Sequence, residues 1–105
     1  MMMHQNFNRR FSPNRRRTRV EALLHVDDTV LRTVILDVSY DGMKLSVPCD
    51  LPQGTAVTVE VLYEKIPAIV HWSKKQFAGL HLLHRLDRDT LVALETAHDD
   101  LAEFR

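Results

Sequence analysis

The chain has 105 residues with 14 Lys plus Arg against 14 Asp plus Glu, so it is formally neutral and of a size for one small domain. A chain of this length buries about two-thirds of the surface its unfolded form exposes, enough for one barrel, sandwich or bundle core, which excludes a two-domain enzyme. The hydrophobic share of 45% is that of an ordinary globular protein, and no apolar run reaches the ~18 residues needed to span a bilayer. The chain is therefore expected to be soluble and not inserted in a membrane.

Cys49 is the single cysteine, which rules out an intrachain disulfide and a multi-cysteine metal site and fits a reducing compartment. Arg9-Arg10-Phe11 has the look of a twin-arginine export signal, but the apolar stretch of about 7 to 15 residues that such a signal needs does not follow. A cytoplasmic location is expected. The neutral total conceals a segregation: residues 1–19 hold six Arg and no acid, a charge of +6, while residues 20–105 hold eight basic and fourteen acidic residues, a charge of −6. An acidic body repels a long phosphate backbone, so DNA and RNA are not expected partners, whereas a small anion that touches only the arm and its surroundings is compatible.

From Val20 onward the hydrophobic pattern has period two, the signature of half-buried strands. Val20, Ala22, Leu24 and Val26 alternate with Glu21, Leu23 and His25 and predict a first strand, which Asp27-Asp28 turns. Val30 to Val38 reads as a second strand, with Val34, Leu36 and Val38 on one face and Thr33 and Asp37 among the others. Asp41-Gly42 follows as a hairpin-type dipeptide, in which Gly takes positive φ without steric cost. Met43, Leu45 and Val47 make a third strand, and the Pro-containing stretch Pro48 to Gly54 reads as a loop. Thr55 to Tyr63 alternates most cleanly, with Glu64-Lys65 as its turn. Ala68, Val70 and Trp72 share one face of a fifth strand, Lys74-Lys75-Gln76 turns it, and Phe77 to Leu83 is the last strand.

At Asp87 the period changes. Leu91, Leu94, Leu101 and Phe104 recur at helical spacing with Ala97 in the stripe, and Asp87 and Asp89 stand at the positive end of the helix dipole. Six strands with short connections and one C-terminal helix predict a mainly β fold, an antiparallel six-stranded barrel or strongly curled sheet. The expected boundaries are a flexible basic arm over residues 1–14 and the domain over residues 15–105.

Catalytic chemistry has little to stand on. Cys49 sits in the Pro-rich loop, and no Gly-rich elbow surrounds a Ser, so no enzymatic activity is expected. His81 and His84 are three positions apart, which in a strand places them on opposite faces, so no metal site is expected. His25, His71 and His81 read as half-exposed strand residues, and His98 as a polar edge of the helix.

Two polar segments are more informative. Arg15-Arg16-Arg17-Thr18-Arg19 contains an Arg-x-x-x-Arg spacing and ends directly before the first strand residue, Val20. A guanidinium chelates a phosphate or the O6 and N7 edge of a guanine, and stacks on a base face. A solvated basic tail is the plainer alternative. The second segment, Asp37-Val38-Ser39-Tyr40-Asp41-Gly42, follows the second strand. Its Asp can accept from the N1 and N2 donors of guanine and its Ser offers a hydroxyl to a phosphate or a turn amide, although an ordinary β-turn also favours Asp, Ser and Gly.

Together the two segments, Arg-x-x-x-Arg and Asp-x-Ser-x-x-Gly with 17 residues between them, resemble the PilZ domain, a bacterial receptor module for the second messenger cyclic di-GMP. Ala68-Ile69-Val70-His71-Trp72 and Phe77-Ala78-Gly79-Leu80-His81-Leu82 are similar to the family's later pair of strands. The resemblance runs from about Arg15 to the C-terminal helix and implies a six-stranded antiparallel β-barrel of split-barrel type. It implies that Arg15 and Arg19 hold phosphate and guanine edges with Arg16 beside them, and that Asp37, Ser39 and Gly42 cradle a guanine and close the turn around it. Arg10 and Trp72 are further candidates for the same ligand. Asn14 stands before Arg15 where many members carry Arg or Leu, a position at which members with one ligand differ from members with an intercalated pair, so both stoichiometries stay open.

The function so implied is that of a cyclic di-GMP receptor without catalytic activity and without a resident cofactor. With no output domain attached, it is expected to regulate a protein partner through a change in its N-terminal arm and surface. Two other readings are a PilZ-like adaptor that binds no nucleotide and acts by protein contact, and a small barrel for single-stranded nucleic acid with Phe7 and Phe11 as stacking platforms. The complete motifs count against the first, the acidic body against the second.

Overall fold

The computed structural model describes the backbone of residues 15–103 and the side chains of residues 15–97. Six strands run in chain order: β1 (Arg16–Val26), β2 (Thr29–Val38), β3 (Gly42–Ser46), β4 (Ala56–Val61), β5 (Glu64–Lys74) and β6 (Phe77–Leu82). Helix α1 (Arg88–Glu103) follows. Every pairing is antiparallel, and the order β1-β2-β3-β6-β5-β4 closes into a barrel. The closing seam is short, because β1 meets β4 only through Leu23, Leu24 and His25 opposite Glu60, Val59 and Thr58.

The alternation seen in the sequence explains the barrel interior. Val20, Ala22 and Leu24 of β1 face inward with Val57, Val59 and Val61 of β4, Ile66, Ala68 and Val70 of β5, and Ala78, Leu80 and Leu82 of β6. β3 contributes Met43 and Leu45. Helix α1 plugs one end of this core with Leu91 and Leu94, both wholly buried. Burying each of these aliphatic side chains contributes about 1.5 to 3 kcal/mol, which is what holds a short helix onto the barrel. Asp87 caps the helix: its Oδ1 accepts from the Thr90 amide at 2.8 Å, and that bond holds the carboxyl below the ordinary carboxylate range.

Three expectations need correction. The first strand starts at Arg16, four residues earlier than the apolar pattern indicates, because its inward slot at position 18 carries a threonine. Thr18 is buried and donates its hydroxyl to the Leu94 carbonyl at 2.6 Å, tying β1 to the helix through a polar residue that a hydrophobic pattern passes over. In β2 the buried face begins with Thr33 and Ile35 instead of Val34 and Leu36, and Thr33 satisfies its hydroxyl on the Ala22 carbonyl at 3.1 Å. A bulge at Leu36 then shifts the phase so that Val38 is inward again. The turn between β4 and β5 is Leu62-Tyr63 rather than Glu64-Lys65; both residues take left-handed φ, 52° and 65°. Lys75 and Gln76 form the corresponding turn between β5 and β6, as their composition indicates. The proposed arm over residues 1–14 lies outside the described residues, as do the side chains of Leu101 and Phe104. Among the described residues no helix is long and apolar enough to cross a membrane.

Candidate functional site

Three register shifts gather at one end of the barrel. β1 carries an extra residue between Arg17 and Val20, β2 carries one between Ile35 and Asp37, and β5 carries one between Val70 and Trp72. A bulge bends its strand and re-aims the side chains beside it, so three bulges on one barrel wall turn a convex surface into a cleft. That cleft has a volume of about 340 Å³ and opens to solvent. Its walls are Arg15 and Asp37, the Ser39 to Gly42 corner, Lys44, His71, Trp72, Gly79 and His81.

The floor of the cleft is a single row across four strands, which Arg17 of β1 continues beyond the lining. Arg17 pairs in register with Asp37, Asp37 with Lys44, Lys44 with Gly79, and Gly79 with Trp72. Outward side chains on such a row stand side by side, one strand spacing of about 4.8 Å apart. The row therefore presents cation, carboxylate, cation and aromatic ring in sequence. Above Asp37, Arg15 places a guanidinium nitrogen 3.0 Å from Oδ2. Both partners are reached by water, so this ion pair contributes no more than about 1 kcal/mol to stability, and its guanidinium keeps donors to spare.

The corner after β2 is tied by its own hydrogen bonds. The Ser39 amide donates to the Gly42 carbonyl at 2.9 Å, and the Gly42 amide donates back to Ser39 Oγ at 3.1 Å. Ser39 thus takes the turn-amide role of the two its hydroxyl could serve. The Leu82 amide donates to the Asp41 carbonyl and the Leu86 amide to the Tyr40 carbonyl, which pin the corner to β6 and the segment after it. Arg85 completes it, 3.6 Å from Asp41 and stacked 4.9 Å from the Tyr40 ring centroid.

Gly42 is required for a reason other than a left-handed turn, since its φ is not positive. A β-carbon there would stand 3.1 Å from the Leu80 carbonyl oxygen, so the residue is small because β3 passes close to β6. Gly79 is required more strongly: a β-carbon at this position would collide with Nε1, Cε2 and Cδ1 of Trp72. The indole lies flat across the outer surface of β6 over this glycine. Trp72 therefore faces the cleft and not the core that Ala68 and Val70 fill, because the bulge after Val70 reverses the phase by which alternation put all three on one face, and it keeps 38% of its surface exposed.

Of the residues singled out in the sequence, Arg15, Asp37, Ser39, Gly42 and Trp72 come together around this one cleft. Arg16 does not. Its guanidinium turns to α1, where Nε stands 3.5 Å from Glu95 Oε1. Arg19 is exposed on β1 and does not line the cleft, and Arg10 lies outside the described residues. Lys44 and Arg85 were not singled out, and His71 and His81 were read only as half-exposed strand residues. For Lys44 a signal existed, since it sits at an outward position of a strand directly beside the Asp-x-Ser-x-x-Gly segment. A larger groove of about 560 Å³, with Glu21, Leu23, Arg32 and Glu60 along it, holds none of these residues.

Chemically, the cleft combines bidentate donors for a phosphate, an acceptor for paired N–H groups and a flat ring for a base. Among the described residues no group of three His, Cys, Asp or Glu side chains is placed to hold a metal ion.

A closed six-stranded antiparallel barrel with a C-terminal helix and a bulge-framed outer cleft is thus the class of this molecule. The family model described as the PilZ domain matches residues 7–97, and the chain belongs to the PilZ domain family. A solved structure with the same fold is the crystal structure of the PilZ domain of CeSA from a cellulose-synthesizing bacterium: TM-score 0.57, 14% identity, covering 84% of this chain and 97% of that one. No curated protein matches the sequence.

Proposed function

We propose that the protein is a receptor for cyclic di-GMP that works without catalysis and passes its state to a protein partner in the bacterial cytoplasm. One observation carries this reading: Arg15, Asp37, Ser39, Gly42 and Trp72, drawn from four separate strands and corners, surround one cleft. The family supports it, since PilZ domains are receptors for this ligand. In the proposed complex Arg15 chelates a phosphate, Asp37 accepts from the N1 and N2 donors of a guanine, and Trp72 stacks on a base. Arg10 reaches the ligand only if the segment before β1 folds over the cleft, and Arg19, exposed on β1 outside the lining, only if its side chain extends to the rim. Binding must redistribute the Arg15 to Asp37 ion pair, which gives the start of β1 a ligand-dependent state. β1 is also bound to α1 through Thr18 and Arg16, so that state has a route to the helix surface.

Calorimetric titration of the chain with cyclic di-GMP, GTP and a short oligonucleotide tests the assignment. Saturable binding of cyclic di-GMP alone is expected. Binding of the oligonucleotide in its place would assign the cleft to single-stranded nucleic acid, and binding of none of the three would leave a barrel that acts by protein contact.

A further inference from the structure

Lys44 stands at the centre of the cleft floor, with Asp37 as its register partner on β2 and Gly79, under the Trp72 ring, as its partner on β6. Two neighbouring cations are compensated: Arg15 by Asp37 at 3.0 Å and Arg85 by Asp41 at 3.6 Å. Among the described residues Lys44 forms no ion pair. Its ammonium instead rests 5.1 Å from the centroid of the Phe77 ring, the outward neighbour diagonal to it on β6. A cation held on an exposed ring is bound weakly, by about 0.5 to 1 kcal/mol, and a lysine carries its charge on a four-carbon stem that swings freely.

We propose that Lys44 is a third phosphate-binding cation of the site, parked on Phe77 when the cleft is empty and drawn over the floor when an anion enters. The inference rests on the receptor reading above and extends it to a residue outside both sequence motifs. Two physical arguments carry it. An uncompensated ammonium attracts a dianion more strongly than a guanidinium already neutralised by a carboxylate. Its place is also the one that the ligand's geometry requires, one strand spacing from the carboxylate that reads a guanine and one from the ring that stacks on a base. A phosphate drawn to Lys44 sets its flanking guanosines toward Asp37 on one side and Trp72 on the other.

The test is calorimetric titration of the full chain with cyclic di-GMP at several salt concentrations, using the parent, Lys44→Met, Lys44→Arg and Phe77→Leu, with melting curves to show that each folds. Lys44→Met is expected to lose about tenfold in affinity and to respond less steeply to salt, because one screened charge contact is gone. Lys44→Arg should restore most of both. Phe77→Leu, which removes only the resting place, should bind as tightly as the parent or more tightly. If the parent binds and Lys44→Met keeps its affinity and salt response, the proposal is overturned while the receptor reading stands. If Phe77→Leu loses as much as Lys44→Met, the residue acts by packing on the ring and the proposal is likewise overturned. If the parent does not bind cyclic di-GMP at all, the receptor reading fails and takes this proposal with it.

Discussion

Arg15 and Asp37 are bonded to one another in the free protein, so each has a partner to exchange when a ligand arrives. The Arg15→Ala variant is expected to weaken cyclic di-GMP binding by about 2 kcal/mol while leaving Tm almost unchanged, because the ion pair it removes is water-exposed. Calorimetry beside a melting curve checks both halves. Asp37→Ala is the more discriminating change, since it removes a negative charge from an anion site and at the same time releases Arg15. A purely electrostatic cleft would then bind more tightly. A cleft in which Asp37 reads guanine should bind more weakly, by about 1 to 2 kcal/mol, despite both gains. The sign of the change in affinity decides the role of Asp37.

At the scale of elements, what was legible in the sequence was the alternation, and what was hidden was its interruptions. The inward rows of β4 and β5 and the helix from Asp87 stand out because aliphatic residues fill every inward slot. Thr18 and Thr33 fill inward slots with hydroxyls that bond to carbonyls, so the true extent of β1 and the true face of β2 cannot be seen from hydropathy. Bulges add a single residue and reverse the phase, which is why Leu36 read as inward. Four of the residues that meet at the cleft were recognisable from motif spacing and Trp72 from the resemblance of the later strand pair, whereas Lys44 became visible only once registers placed it between Asp37 and Gly79.

The Leu62-Tyr63 turn eluded composition for a related reason: two bulky residues occupy left-handed positions that Asn-Gly would take at lower cost. Replacing Leu62-Tyr63 by Asn-Gly is therefore expected to stabilise the barrel by about 1 kcal/mol, read as a higher Tm with cyclic di-GMP affinity unchanged. The helix cap gives a prediction with a pH sign. The folded pKa of Asp87 is depressed below 3.8 by its bond from Thr90, so its stabilisation is complete above that value and fades as pH falls through the depressed pKa. Asp87→Asn keeps an acceptor but cannot titrate. Its Tm deficit against the parent should shrink on acidification below pH ~4, as scanning calorimetry across pH would record.

For the whole molecule, closure of the barrel by β1 and β4 has a kinetic meaning. Four of the six pairings join strands that are consecutive in the chain, whereas β3 with β6 and β1 with β4 bring together distant segments. Loop-closure entropy must be met before those two long-range contacts repay it, so they belong late on the folding path. The β1 to β4 ladder is the shorter of the two, three residue pairs against five, and local opening of the native barrel is expected to start there, at the flank of β1 that lies farthest along the strand from Arg15. The end of β1 beside the cleft is tied to α1 through Thr18, and the end that closes the barrel pairs through three residues. One strand thus borders the cleft at one end and closes the barrel at the other, and amide exchange is expected to be faster at the seam than beside the cleft.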